Sequence, residues 1–263
     1  MRVELSDVFY RCSDDFSLSS ISMEIREGER IALMGDNGSG KTTLLNILSG
    51  LLIPSSGVIT ADSVNVHDNK RSLKEYHRRI SYLIQFPERQ IFSSTIYGEI
   101  AYPMKARGYG KREIEARCDE MLALLGLSAF NRSESPYILS GGQRRKLSLA
   151  SQISYYPDLL LFDEPLSGLD GVSKRELLSS IDKLGNTIVV MSTHDVLSAL
   201  RMDRLIVLDS GRIIYDGPSS VLLDMNKYCE LGMKISDIAE IYAMLEERGI
   251  PERDAILKEV LYG

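Results

Sequence analysis

The sequence contains no tryptophan and only three cysteines, Cys12, Cys118 and Cys229. They are odd in number, far apart and without CxxC spacing, so neither a disulfide framework nor a zinc site is expected, and a reducing compartment fits. Basic residues are not in excess: 31 Lys and Arg stand against 37 Asp and Glu, a net charge of −6. That balance removes the electrostatic footprint of a non-specific nucleic-acid binder, so no nucleic-acid partner is expected. Long apolar runs are missing too. Leu159–Phe162 and Ile188–Met191 are typical of the longest, whereas a bilayer-spanning helix needs about 18–20 residues. The N-terminal Met-Arg-Val-Glu-Leu-Ser-Asp carries acids where a signal peptide needs an apolar stretch, so no secretory leader is expected. If the protein works at a membrane, another chain supplies the span. No internal repeat or low-complexity tract interrupts the chain.

What is present is an ordinary globular balance, 44% hydrophobic and 26% charged over 263 residues, enough for one large domain or two tightly joined ones. Val3–Leu5 and Ile21–Ile25 read as short strands. After the Glu27-Gly28-Glu29 turn, Ile31–Met34 reads as a buried strand entering a glycine-rich loop, with a helix from Lys41 through Leu48 that Gly50 ends. From about 86 to 155 the pattern is helical: Ile114, Cys118, Met121, Leu122 and Leu125 step by three and four, and Gly126 takes the C′ position. Leu147, Leu149, Ala150 and Ile153 mark another helix after Gly142. Strands resume at Leu159–Phe162, Ile188–Met191 and Leu205–Leu208, and Asp209-Ser210-Gly211 turns the last into a hairpin with Ile213–Tyr215. Beyond Gly217-Pro218 the chain is helical, with Ile238, Ile241 and Leu245 on one face and Pro251 in the first turn of a last helix. The expected class is α/β with a helical insert and a helical tail.

Three motifs carry chemistry. Gly35-Asp36-Asn37-Gly38-Ser39-Gly40-Lys41-Thr42 fits the phosphate-loop pattern. Its glycines let backbone N–H groups curl around phosphate oxygens, and the following helix turns its positive end toward them. Lys41 would reach the β- and γ-phosphates and Thr42 would ligate Mg²⁺, with Thr43 beside it. Leu159-Leu-Leu-Phe-Asp163-Glu164-Pro165 puts two acids at the C-terminal end of a buried strand, where open α/β sheets bind ligands. Alone, such a pair is often a solvated loop; below a phosphate loop, Asp163 would hold Mg²⁺ and Glu164 would take a proton from the attacking water. Leu139-Ser140-Gly141-Gly142-Gln143, followed by a helix, is a second anion-binding helix start in the same chain.

With that pentapeptide on the page, the sequence resembles an ABC-type ATPase. The resemblance covers roughly 1–217 and implies a P-loop NTPase core with an antiparallel β subdomain and a helical subdomain at about 86–155. It also implies that ATP and Mg²⁺ are bound in a head-to-tail dimer, where Ser140, Gly141, Gly142 and Gln143 close over the nucleotide held by the other subunit. Asp170 in Ser167-Gly-Leu-Asp resembles the loop that contacts the opposite site, His194 the switch histidine at the γ-phosphate, and Gln85 the glutamine that senses Mg²⁺ and water. The family's adenine-stacking aromatic is replaced by Cys12, so Tyr10 or Phe16 is expected to stack instead.

Gln85-Phe-Pro-Glu-Arg-Gln-Ile-Phe92 is similar to a stretch of energy-coupling factor transporter ATPases, including their cobalt and nickel relatives, and the tail at 218–263 is similar as well. In that branch the tail helps two identical or related ATPases pair at the cytoplasmic face of the membrane, beneath a membrane coupling protein, while another membrane protein captures a vitamin or metal ion. Phe86, Glu88 and Phe92 are expected to dock that coupling protein, Glu88 meeting a basic side chain. The alternative reading of the three aromatic and aliphatic side chains, Phe86, Ile91 and Phe92, is as filling for the insert's own core. The rival functions are an ATPase of another ABC importer or exporter, and a non-transport ABC ATPase of repair or translation. The first lacks the 85–92 stretch; the second carries a long coiled coil or two ATPase domains in one chain. The pentapeptide excludes a P-loop kinase.

Overall fold

The computed structural model of the chain describes residues 1–11, 17–231, 236–248 and 250–262. Cys12 and Phe16, two of the positions weighed for adenine stacking, lie outside the described residues. The chain begins with strands β1 (Val3–Arg11), β2 (Ser17–Ile25) and β3 (Arg30–Met34), then helix α1 (Lys41–Leu48). Next come β4 (Ser56–Ala61), β5 (Val64–Asn65), α2 (Lys70–Arg79) and β6 (Ile80–Leu83). The insert holds α3 (Ile96–Ala106), α4 (Lys111–Leu124) and α5 (Gly141–Ile153). The main sheet resumes through β7 (Leu159–Asp163), α6 (Gly171–Asp182), β8 (Ile188–Ser192), α7 (Val196–Leu200), β9 (Arg204–Asp209) and β10 (Arg212–Pro218). The tail adds α8 (Met225–Glu230), α9 (Asp237–Glu247) and α10 (Arg253–Tyr262).

Two sheets result. A four-stranded antiparallel sheet has the order β2-β1-β4-β5; a six-stranded sheet has the order β10-β9-β3-β8-β7-β6, parallel except for the β9–β10 hairpin. Strand side chains alternate between faces, and here both faces are buried. Ile31 and Leu33, with Leu159, Leu161, Ile188 and Val190, join α1 and the small sheet in one core. Ala32, Met34, Leu160, Phe162, Val189 and Met191 face the helical insert in the other. Continuous apolar runs suit strands covered on both sides.

The expected helix at Lys41–Leu48 has those bounds. The insert differs in its first part. Pro87–Gln90 forms a 3-10 turn, Phe86 is left-handed (φ 57°), and α-helix begins only at Ile96, capped by the Thr95 hydroxyl. Proline cannot donate to a helical ladder and restricts its predecessor, so the chain turns before it coils. Cys118 is buried in the insert, and burial pushes its thiol up to about 11. No element was expected between Pro54 and Ile80, where β4, β5 and α2 form; the Asn69 side chain caps α2 by accepting from Arg71 and Ser72 N–H. The tail is not detached from the rest of the chain. Tyr228 and Ala239 belong to the insert-side core, and Arg201 beside α7 donates to the Leu261 carbonyl at 3.1 Å. Among the described residues, no helix is long and apolar enough to cross a membrane.

Candidate active site

Parallel pairing brings the C-terminal ends of β3, β8, β7 and β6 side by side, with Leu33 opposite Ser192, Asp163 opposite Ser192, and Leu83 opposite Phe162. The residues just past these ends therefore converge. From β3 the chain enters the loop Gly35–Gly40. Gly35 has φ 141°, and a Cβ there would stand 2.1 Å from the Leu208 carbonyl oxygen, so only glycine fits against β9. Gly40, at φ 111°, precedes α1 with no side chain capping the helix, which leaves its first-turn N–H groups for a ligand. Ser39 is buried and its hydroxyl has no protein partner. The Lys41 ammonium donates to the carbonyls of Gly35 at 2.8 Å and Asp36 at 2.9 Å. Burial lowers the Lys41 pKa, and the Glu164, Asp163 and Asp36 carboxylates work against that fall. Asn37, Gly38, Gly40, Lys41, Thr42, Thr43 and Glu164 line a cleft of about 300 Å³.

From β7 comes the acid pair. Thr42 Oγ1 donates to Asp163 Oδ2 at 2.7 Å, and Ser192 Oγ donates to Asp163 Oδ1 at the same distance. Ser192 Oγ also accepts the Glu164 N–H at 2.9 Å, which holds Glu164 in a left-handed conformation, φ 48°. The Glu164 carboxylate then stands between two partners: Gln85 Nε2 donates at 3.3 Å and His194 Nε2 lies at 3.1 Å.

The residues of the second anion-type helix start do not line this cleft. Ser140 caps α5 in a capping box, its Oγ accepting the Gln143 N–H at 3.3 Å while Gln143 Oε1 accepts the Ser140 N–H at 2.9 Å. This turn is exposed at Ser140 and Gly141. It lies beside the start of α6, where Asp170 accepts from Ser173 N–H at 2.9 Å; a Cβ on Gly142 would touch Ser173 Oγ at 3.4 Å. One chain thus carries one enclosed, uncapped helix start and one exposed, self-capped helix start.

The family model described as ABC transporter matches residues 18–167. The energy-coupling factor transporter ATP-binding protein EcfA2 of Streptococcus sanguinis is 36% identical, covering 94% of this chain and 92% of its own length. The corresponding EcfA of Methanocaldococcus jannaschii is 32% identical over 94% of this chain and 90% of its own. This chain belongs to the energy-coupling factor branch of the ABC transporter ATP-binding family. Solved structures agree. The cbiO1 protein of Clostridium perfringens, part of the ABC transporter complex cbiONQ, superposes with a TM-score of 0.77 at 26% identity, covering 91% of this chain and 97% of its own. The ATP-binding cassette MJ0796, a dimer bound to ADP and Pi in a post-hydrolysis state, gives 0.73 at 27% identity over 82% and 98%.

Within this ABC ATPase, the residues expected from the motifs divide. Lys41, Thr42, Asp163, Glu164, Gln85 and His194 are brought together; Ser140–Gln143 and Asp170 stand apart as a second surface. Tyr10 packs half-buried on the core beneath the small sheet.

The docking expectation needs correcting. Glu88 does not face outward for a partner's basic side chain: it is paired with Arg145 of its own chain, Oε2 accepting from Nε at 3.0 Å and Oε1 from Nη2 at 3.1 Å. Burial, the largest single influence, would raise its pKa, but the Arg145 hydrogen bonds, its own backbone N–H and the charges of Arg145 and Arg89 together outweigh it and hold the carboxyl below the usual glutamate range. The reason is reach: the 3-10 turn points Glu88 back at α5. Ile91 is buried as well, whereas Phe92 is 63% exposed and meets Tyr102 edge-on, ring centroids 4.7 Å apart.

Sequence reasoning missed two residues. Ser192 is a small polar side chain closing an apolar strand two positions before His194, a signal that was available. Arg145 is one of several basic residues in α5, and nothing in the sequence separates it from its neighbours.

Proposed function

We propose that this chain is the ATP-hydrolysing subunit of an energy-coupling factor importer, with Glu164 as the base of the reaction. The observation that carries the reading is the Glu164 carboxylate, fixed between Gln85 and His194 on the rim of the cleft that holds Lys41 and Thr42. A water held at Glu164 loses its proton to the carboxylate, Gln85 orients that carboxylate through Oε2, and His194 adds a polar contact at Oε1. Lys41 offsets phosphate charge from a buried setting, where electrostatic stabilisation is strongest.

Mg²⁺ fits the residues present. Thr42 Oγ1 and Asp163 Oδ2 are hard oxygen donors 2.7 Å apart beside the cleft, and among the described residues there is no His, Cys, Asp and Glu cluster that would form a complete metal cage. Magnesium is usually held by one or two such groups together with substrate phosphates and water. Thr42 and Asp163 would hold it, with Gln85 in reach through Glu164; bound there, the ion would neutralise charge on the β- and γ-phosphate oxygens.

Two copies, or this chain and a paralogue, sandwich ATP, each lending Ser140–Gln143 and Asp170 to the other's nucleotide. Tyr10 is the described candidate for adenine stacking. The C-terminal extension at 218–263 presents Ile241, Met244, Ile256 and Val260 to solvent, an apolar surface suited to pairing the two ATPases. A groove of about 290 Å³ beside Phe92, Tyr102, Pro87, Arg107 and Tyr155 receives the membrane coupling protein, Phe86 and Phe92 supply its contacts, and a separate membrane protein captures a vitamin or transition-metal ion. The chain would then sit peripherally on the cytoplasmic face.

The test is a pair of variants in the purified complex. Lys41→Ala abolishes MgATP binding. Glu164→Gln binds MgATP normally and loses turnover by about 10²–10⁴-fold, the usual worth of a positioned base. Near-native hydrolysis by Glu164→Gln defeats the assignment.

A further inference from the structure

Arg145 lies two residues past Gln143 on α5 and is 5% exposed. Its guanidinium joins three segments that the sequence keeps far apart. Nε and Nη2 grip both oxygens of Glu88 in the 85–92 stretch, at 3.0 and 3.1 Å. Nη1 donates to the carbonyl of Pro165 at 2.9 Å and to that of Ser167 at 2.7 Å. Those carbonyls belong to the turn that begins at Glu164, where Ser167 N–H donates back to the Glu164 carbonyl at 3.2 Å, and that leads on to Asp170. Glu164 is left-handed, a conformation a non-glycine residue keeps only when its surroundings enforce it. Ser192 fixes it from one side, at its N–H; Arg145 fixes the residues that follow it.

We propose that Arg145 is a positioning residue for ATP hydrolysis, holding the Glu164 turn in register with the Phe86–Phe92 segment so that movement of that segment reaches Glu164 through the Glu88–Arg145 pair. An arginine suits this role because its planar fork can grip a carboxylate with one edge and carbonyls with the other; lysine has a single ammonium and no such plane. A plain ion pair between Glu88 and α5 would need neither carbonyl contact. The proposal rests on Glu164 being the base, so Glu164→Gln is measured in parallel.

The experiment uses the assembled complex and reads kcat, KM, MgATP affinity and melting temperature. Arg145→Lys lowers kcat by about tenfold or more, the worth of one or two lost hydrogen bonds to a charged group, while KM and MgATP affinity stay within about twofold, as for an interaction felt in the transition state. The exchanged pair Glu88→Arg with Arg145→Glu regains melting temperature over Glu88→Arg alone but not kcat, because a carboxylate at position 145 has no N–H for Pro165 and Ser167. If Arg145→Lys does not fold, Glu88→Gln keeps the shape of the pair and is expected to lower kcat at unchanged KM. Native kcat in Arg145→Lys, or in Glu88→Gln where that variant stands in, overturns the proposal. So does restoration of kcat by the exchanged pair, and so does a loss of MgATP affinity that matches the loss of kcat. Near-native hydrolysis in Glu164→Gln removes the base assignment instead; an inactive Glu164→Gln beside a native Arg145→Lys removes this proposal alone.

Discussion

The chain has two glycine-rich helix starts, at Gly40 before α1 and at Ser140 before α5, and they are built in opposite ways. The first is enclosed. Lys41 and Ser39 are buried, no side chain caps the helix, and Thr42 is tied to Asp163. The second is exposed and caps itself through Ser140 and Gln143. An enclosed, uncapped helix start with a buried, unpartnered serine hydroxyl offers its N–H groups and that hydroxyl to an anion; an exposed, self-capped one is satisfied within its own chain and can be offered to another molecule. On the reading proposed above, the contrast lets one chain carry two phosphate-binding devices without using both on the same nucleotide.

The sharpest way to break the contrast is to disable each start in a different subunit. Lys41→Ala and Ser140→Arg should each be inactive alone. Mixed, they form one composite site with both lesions and one with neither, so ATPase activity returns; no recovery from a proven mixed dimer means the α5 start serves its own chain. Glycine replacements probe the same difference in one polypeptide. Gly35→Ala drives a methyl to 2.1 Å from the Leu208 carbonyl oxygen, and MgATP affinity by titration should fall at least tenfold, on the order of the 1–3 kcal/mol that overpacking costs. Gly141→Ala meets open space within its own chain. Chemical denaturation should show it unchanged or stabilised by up to about 1 kcal/mol, while turnover in the dimer drops.

Ser192→Ala tests what holds the enclosed side together. It removes the donor to Asp163 and strands the Glu164 N–H, a loss of about 1–3 kcal/mol, which should appear as a roughly 5–150-fold lower kcat with a smaller change in nucleotide affinity. The smallest effect concerns how α5 is tied to the sheet. Glu88 has a depressed pKa in the folded chain, so its pairing with Arg145 contributes stability that is full above the ordinary glutamate range and is lost as pH falls through the lowered value. Glu88→Gln should therefore be less stable than the native chain at neutral pH, and the gap should close on acidification; a pH-independent gap in unfolding free energy would contradict the pairing.

The motifs of the proposed ATP site were legible in the sequence because each is local. Gly35–Thr42 needs glycines at particular backbone angles, and Asp163 and Glu164 need only to end a strand that is apolar throughout. The strand runs at Ile31, Leu159, Ile188 and Leu205 likewise announced a sheet buried on both faces. Chain-local patterns fix such features because backbone sterics and burial act over a few residues. What the sequence did not determine was where long polar side chains go. Glu88 has the composition of a docking residue, yet the 3-10 turn at Pro87–Gln90 aims it at Arg145, fifty-seven positions away. Ser192 became a bridge only when parallel register set it opposite Asp163. Both outcomes depend on which strand ends and helix faces are neighbours, and that is settled by packing of the whole sheet and insert, since a side chain several bonds long selects its partner from whatever the tertiary fold brings within reach.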